Sequence, residues 1–470
     1  MPPPLALTLT LLLIGYLLRR DCREEPRVST AVWIPIVWLM INGSRQASQW
    51  FGSGPLLSAE ALSEGSPIDQ IVYGVLIIAG VSVLVRRDVR MDEVVKNNIP
   101  IVLFLLYEGL SVIWSDFPFT SFKRWGKALG DPIMVLVLWS DPYPVRAITA
   151  TIKRCAYVLI PLSILFCKYY ENLGRVFDPW GKSHYTGVTL DKNMFGYLLF
   201  AFGLFFVASF VDKRHPYVDD RNRWRIDQMI NILLLAMISW LIPIANSKTA
   251  TVAMLIGIIV IVASQFASIR RHFWIYTLGV ILLLAIFNEL FSIRSFVAEA
   301  SGRDTTFTGR TGIWERLLQE PINPLLGVGY NTFWFGERLK RWWEMEPNTL
   351  PIQAHNGYIE VYLNLGLIGL CLIATVLWKG VVTMQNRIAA SFDTSLKDTC
   401  SNKEFATFGL AYCIAYLIYN ITEATFQGLN FLFLIFMFLT FNYRHSLGPV
   451  QQVSRRLSVA SRSRLKKATH

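Results

Sequence analysis

Apolar runs close to the length of a membrane crossing recur from one end of this chain to the other, and no other feature limits the possible fold so strongly. "IDQIVYGVLIIAGVSVLV" (68–85), "ATVAMLIGIIVIVAS" (250–264) and "NFLFLIFMFLTFNY" (430–443) are three of them. A helix needs about 20 mostly apolar residues to cross a bilayer. Of the 470 residues only 17% are charged, against about 25% in a soluble domain, and the mean hydropathy is +0.39. The chain therefore reads as all-α, a polytopic membrane helix bundle.

Thirteen spans are predicted, near 5–18, 29–42, 68–85, 99–114, 128–140, 147–167, 193–211, 227–245, 250–268, 273–291, 356–378, 404–422 and 428–443; the first and fifth are short, so twelve also fits. "LALTLTLLLIGYLL" runs into Arg19 and Arg20 without a small-residue cleavage site, so it reads as a first helix rather than a removed signal. With the N-terminus outside, the inner connections hold Arg19, Arg20, Arg23 and Arg27, then Arg86, Arg87, Arg90 and Lys96, then Lys213, Arg214, Arg221, Arg223 and Arg225, then Arg270 and Arg271. That is the asymmetry of the positive-inside rule. It accounts for the net charge of +12 without nucleic acid. The six cysteines lack CxxC spacing, which indicates neither a zinc site nor a disulfide framework. Four regions follow: a membrane bundle over 1–291, an outer-face loop cap over 292–355, C-terminal membrane helices over 356–443, and a basic tail over 444–470. The tail is expected to be disordered and to lie on anionic headgroups.

The 292–355 connection is too long for a passive linker and carries helix-like pieces, "GIWERLLQ" and "FWFGERLKRWWEM". It also carries Arg294, Arg303, Arg310, Arg316, Arg338, Lys340 and Arg341 on the side that topology disfavours for basic residues. Other outer connections add Lys123, Arg124, Lys127, Lys168, Arg175, Lys182, Lys192 and Lys248. An anionic ligand explains that placement; ordinary surface pairing with Glu315, Glu337 and Glu344 explains it equally well for any one residue.

"AHNGYIEVYLNLGLIG" (354–369) opens a membrane helix with a polar pair. At 100° per residue His355, Ile359, Tyr362, Gly366 and Gly369 share a face, with Asn356, Glu360 and Asn364 on another. Gly366 and Gly369 would let a neighbouring helix approach closely. The helix mouth would then present imidazole, amide and carboxylate. An imidazole there is either a cap or a base, and a base removing a hydroxyl proton is worth roughly 10²–10⁴ in rate. Gly327-Val328-Gly329 is not a nucleotide loop, since no strand precedes it and no Lys-Ser/Thr follows. The aromatics of "FWFGERLKRWW" suit either sugar stacking or an interfacial belt.

"HNGYIEVYLNLGLIG" resembles the signature of the bacterial O-antigen ligase and polysaccharide polymerase family: His-Asn, nine residues, then Gly-x-x-Gly. "TGRTGIWERLLQEPINPLLGVGYNTF" resembles the segment upstream of it, "GVTLDKNMFGYLLF" the family's Lys-Asn-x-x-Gly helix start, and "NSKTATVAMLIG" the place of its Ser-Arg-Gly or Ser-Arg-Thr. The wording of "RCAYVLIPLSILFCKYYENLGRVFDPWG" is most similar to the exopolysaccharide-polymerase branch. The resemblance runs from about Ile99 to Phe441. It implies a GT-C-like bundle, a glycan donor on a polyprenyl diphosphate, a glycan acceptor and the outer face of the bacterial inner membrane. It makes His355 the activator of the acceptor hydroxyl and Arg310 and Lys248 candidates for the diphosphate. Lys248 stands where the family has arginine, and a lysine lacks the bidentate fork. Asn356, Lys192, Arg175, Arg124, Arg303 and Glu423 are further substrate-binding candidates, with Glu423 alternatively pairing an arginine. Arg-x-x-x-Leu, associated with the ligases, does not occur in the outer loops, which favours polymerase.

No Asp-x-Asp occurs, and Asp219-Asp220 falls on the predicted inner side. The expectation is a metal-independent, inverting glycosyl transfer with no cofactor and no metal ligands, the basic residues stabilising the leaving diphosphate. A ligase moving finished glycan to a lipid or protein acceptor uses the same donor chemistry. A lipid-linked oligosaccharide flippase is the competing class, but it needs basic residues along an intramembrane cavity, and Lys153 and Arg154 are the clearest mid-span charges. The sugars, the linkage and the oligomeric state are not legible.

Overall fold

A computed structural model describes residues 1–52, 66–177, 181, 183–211, 221–279, 310–346, 350–393 and 399–443. The first half is built from α1 (Pro3–Glu24), α2 (Trp33–Asn42), α3 (Pro67–Arg86), α4 (Ile99–Leu110), the amphipathic α5 (Pro118–Ala128), α6 (Gly130–Trp139) and α7 (Pro144–Tyr169). A small antiparallel hairpin follows, β1 (Arg175–Phe177) with β2 (Ser183–Tyr185), which the all-α reading did not foresee. Then come α8 (Lys192–Val211), α9 (Arg221–Ala245) and α10 (Lys248–Ala263). The cap contributes α11 (Arg310–Leu318) and α12 (Gly336–Met345), and the chain closes with α13 (Gly357–Asp393), α14 (Thr399–Tyr419) and α15 (Phe431–Thr440).

Several of these helices start where proline fixes φ and needs no hydrogen bond, as at Pro3, Pro67, Pro118 and Pro144. Among the described residues five helices are long and apolar enough to cross a membrane, and a sixth if Met91–Asn97 and Ile99–Trp114, bent by 101°, form one span. That is fewer than the twelve or thirteen expected. Part of the difference lies in length: Thr30–Asn42, Lys248–Ala263 and Phe431–Thr440 are apolar but short, and most of 273–291 lies outside the described residues. Membrane exposure shows in α3, whose Ile71, Val75, Ile78 and Val85 face outward from the bundle. Among α8, α14 and α15 the packing is aromatic: Phe200 stacks on Tyr419 at 5.3 Å, and Tyr197 on Phe431 at 5.9 Å.

Chain direction sorts the charges. The starts of α8, α10, α13 and α15 share one end of the bundle with the cap. At the other end Arg154 pairs with Asp21 at 2.6 Å, Lys153 joins the same carboxylate, and Arg87 reaches Asp141 at 3.2 Å. The two mid-span cations are thus tied down by α1.

The helix that opens with His355-Asn356 differs from its expected form. It breaks at Gly366, where φ is 64° and ψ −165°, a conformation open essentially to glycine. The cap repairs the break: Leu367 N–H donates to the Pro324 carbonyl (2.9 Å) and Gly329 N–H to the Asn364 carbonyl (2.9 Å). Gly327, at φ 70°, lies so close that a Cβ would sit 2.5 Å from the backbone of Asn364. Gly366 therefore admits the cap's Leu325 carbonyl rather than a neighbouring helix, and Gly369 faces Leu365 of its own helix. A small core of Leu317, Phe333, Trp334, Leu339 and Trp342 completes the cap against Leu363.

Candidate functional site

Three helix starts and one loop build the site. Asp191 Oδ1 accepts from Asn193 N–H (2.8 Å) and Met194 N–H (2.9 Å), capping α8. Asn356 Oδ1 accepts from Tyr358 N–H (3.0 Å) and Ile359 N–H (3.2 Å), capping α13. Asn430 caps α15 in the same way. The loop between α14 and α15 is knitted by Asn420, whose side-chain oxygen takes both Thr425 N–H (3.0 Å) and its hydroxyl (2.9 Å), while its carbonyl takes Gly357 N–H (2.8 Å). This holds Glu423 in front of the start of α13.

Glu423, 4% exposed, is the centre. Its Oε2 lies 3.3 Å from His355 Nδ1 and its Oε1 3.2 Å from Arg310 Nη2. Arg310 Nη1 also donates to the Thr422 carbonyl. His355 itself has φ 48°, a left-handed conformation that costs a non-glycine residue roughly 1 kcal/mol. Thr249 and Thr422 hydroxyls meet at 2.9 Å, which sets the Lys248 end of α10 beside the same loop. Tyr419 OH contacts the Asn193 carbonyl at 3.5 Å, bringing in the start of α8 with Lys192.

A cavity of about 430 Å³ adjoins this cluster through Glu423 and Asp191. Arg124 lines it, donating to the Asn331 carbonyl (3.1 Å) and side-chain oxygen (3.2 Å) and lying 4.3 Å from the Phe335 ring centre. Its partial burial lowers the guanidinium to about 10, still protonated at neutral pH. The cavity walls around it raise the Asp191 carboxyl by desolvation although the residue stays exposed, and the Glu423 carboxylate adds to that, against the pull of its two N–H donors and of His355.

The expected residues divide. His355, Arg310 and Glu423 meet, the helix starts that carry Lys248 and Lys192 lie beside the same loop through Thr249 and Asn193, and Arg124 reaches the adjoining cavity. Asn356 is buried and its oxygen is spent on the helix cap, so it shapes the turn rather than offering itself as a ligand. Glu360 likewise does not stand open at the helix mouth: it accepts from Trp334 Nε1 (3.0 Å), Ala354 N–H (2.7 Å) and Asn364 Nδ2 (3.1 Å). Arg175 pairs with Glu171 at 2.9 Å and stacks on Tyr185, and none of its described contacts is with the cluster. Arg303 lies outside the described residues. The cap cations Arg338 and Arg341 pair with Asp116 (2.9 Å) and Glu320 (2.6 Å), and Arg316 with Glu346; among the described residues, of the anticipated acidic partners only Glu337 is used, by Lys340. Asp191, Asn42 and Gln427 went unnoticed in the sequence. Only Asp191 carried a signal, an aspartate one residue before a helix start.

A multi-pass membrane protein with an imidazole–carboxylate–guanidinium cluster at one end of its bundle, roofed by a cap, is the class that fold and site define. Residues 232–374 match the family model described as O-antigen ligase. The chain is also 26% identical over 305 residues to the exopolysaccharide production protein ExoQ of Rhizobium meliloti (strain 1021), a match covering 59% of this chain and 63% of that protein, less than two thirds of its length. Both likenesses point to the O-antigen ligase and polysaccharide polymerase family, which the chain resembles over part of its length.

Proposed function

We propose that this protein joins polyprenyl-diphosphate-linked oligosaccharide repeat units into exopolysaccharide or O-antigen at the periplasmic face of the inner membrane. The observation that carries the reading is Glu423 holding His355 through one oxygen and Arg310 through the other. A carboxylate on Nδ1 favours the tautomer with its proton there and leaves Nε2 bare. The acceptor hydroxyl gives its proton to Nε2 as its oxygen bonds to the donor's anomeric carbon. The bond from that carbon to the phosphate oxygen breaks with inversion, and its electron pair leaves on the diphosphate. Glu423 then faces the imidazolium and stabilises it, as the acid of a catalytic triad does.

Arg310, Lys248 and Lys192 supply charge-assisted hydrogen bonds to the departing diphosphate. The N-terminal ends of α8, α10, α11 and α13 favour negative charge in the same place. In this reading no divalent metal is needed. The name of the relative, exopolysaccharide production protein, favours polymerisation; the family description, O-antigen ligase, favours transfer to a separate acceptor as the second reading. Transport has less support, because Lys153 and Arg154 are tied to Asp21.

Purified protein given the lipid-linked repeat unit, with products resolved on a gel, tests the proposal. A ladder of growing chains is expected. A single step onto a separate acceptor would move the assignment to ligase, and lipid scrambling without new glycosidic bonds would refute both.

A further inference from the structure

We infer that the cavity beside Glu423 is an uncharged-glycan subsite, which takes the acceptor sugar and excludes the diphosphate. This deepens the proposed glycosyl transfer and rests on it for the identity of the acceptor. The wall chemistry carries the argument. Asn42, Asn193, Gln353 and Gln427 line the cavity. Side-chain amides both donate and accept, as sugar hydroxyls do. Trp334 and Tyr419 add apolar ring surface.

Charge points the same way. Asp191, Glu360 and Glu423 line the cavity, and Arg124 is the one basic side chain among the described residues that does. That guanidinium is occupied by Asn331 and by the Phe335 ring. A diphosphate placed there would meet three carboxyl groups. Neutral hydroxyls would instead find acceptors.

One lining group is left incomplete by the protein. Asn42 is 4% exposed, and its Oδ1 accepts from the Tyr73 hydroxyl at 2.9 Å. Its Nδ2 has no acceptor among the described residues.

The test uses the full-length protein in nanodiscs, two probes and calorimetric titration. The first probe is the oligosaccharide freed by mild acid from the lipid-linked repeat unit; the second is inorganic pyrophosphate. Gln427→Ala, whose side chain holds no hydrogen-bond partner among the described residues, and Gln353→Ala, which removes a second lining amide, are each expected to weaken oligosaccharide binding about three- to tenfold, the range of one lost hydrogen bond. Pyrophosphate affinity should stay within about twofold, since neither side chain faces it. Weaker pyrophosphate binding with oligosaccharide affinity intact would make the cavity the diphosphate site and overturn the inference, as would unchanged oligosaccharide affinity in both variants. Oligosaccharide binding that follows the expected pattern in a protein that builds no polymer would sink the enzymatic reading while leaving the subsite standing.

Discussion

His355 and Glu423 lie 68 positions apart in the chain and meet at 3.3 Å, Nδ1 to Oε2, across the turn that starts α13. The contact is made possible by two local features. The left-handed backbone at His355 swings the ring out of the helix direction, and the Asn420 knot holds the carboxylate in place. Because Glu423 also binds Arg310, one carboxylate couples the proposed base to the proposed diphosphate cation.

Glu423→Gln keeps the volume and removes the charge. The imidazolium loses its counter-ion and Arg310 its anchor, so turnover is expected to fall by about a hundredfold while the thermal transition of the protein stays close to wild type. Initial rates of ladder formation measure it. A rate equal to wild type would take Glu423 out of the mechanism.

Arg310→Ala is expected to weaken donor binding by roughly ten- to hundredfold, the loss of hydrogen bonds to a charged group. Arg310→Lys should recover only part of that, because an ammonium lacks the planar fork. Titration of lipid-linked donor into each variant decides the matter, and wild-type affinity in Arg310→Ala would remove this side chain from the diphosphate site.

Gly366→Ala tests the stitched helix. The φ and ψ there are nearly confined to glycine, and an added methyl would collide with the Leu325 carbonyl. A destabilisation of about 1–3 kcal/mol is expected, read as a lower midpoint of thermal unfolding in detergent. An unchanged midpoint would mean that the break does not need glycine.

Much of this architecture was legible in the chain, and the exceptions have physical causes. Hydrophobic run length disclosed a polytopic bundle, since the bilayer imposes it. Among the described residues fewer helices than the runs suggest are long and apolar enough to cross, because α10 and α15 end short of a bilayer's thickness and run length cannot see a helix stop inside packed protein. The His355-Asn356 pair stood out as a polar start to an apolar helix, yet its two members play different parts, and only the hydrogen bonds from Tyr358 and Ile359 reveal Asn356 as a cap. Spacing suggested helix contact at Gly366. The backbone instead opens there, because the cap returns from Pro324 to Gly329 to fill the gap. Pairings such as Arg310 with Glu423, 113 residues apart, depend on tertiary packing and leave no local pattern. Asn42 and Gln427 were invisible for the same reason.

Asp191→Asn gives a prediction in pH. Asparagine caps a helix about as well as aspartate, so the fold should persist. The Asp191 carboxyl is raised in the folded protein, so its contribution favours the fold below the ordinary carboxylate value and is lost as pH rises through the shifted one. Unfolding midpoints taken from about pH 4 to about pH 7 should therefore show the variant gaining on wild type as pH increases. A gap that narrows or reverses with rising pH would contradict the assigned shift.

Excess EDTA should leave polymer synthesis unchanged, since cationic side chains take the leaving charge in this account. Activity lost in EDTA and restored by Mg²⁺ or Mn²⁺ would require a metal in the mechanism.

The most direct measurement compares wild type with His355→Ala in two assays on the same preparation, binding of lipid-linked donor and release of polyprenyl diphosphate upon chain growth. The account predicts donor binding close to wild type with release and growth reduced by at least about a hundredfold. Chain growth at the wild-type rate in His355→Ala would contradict it.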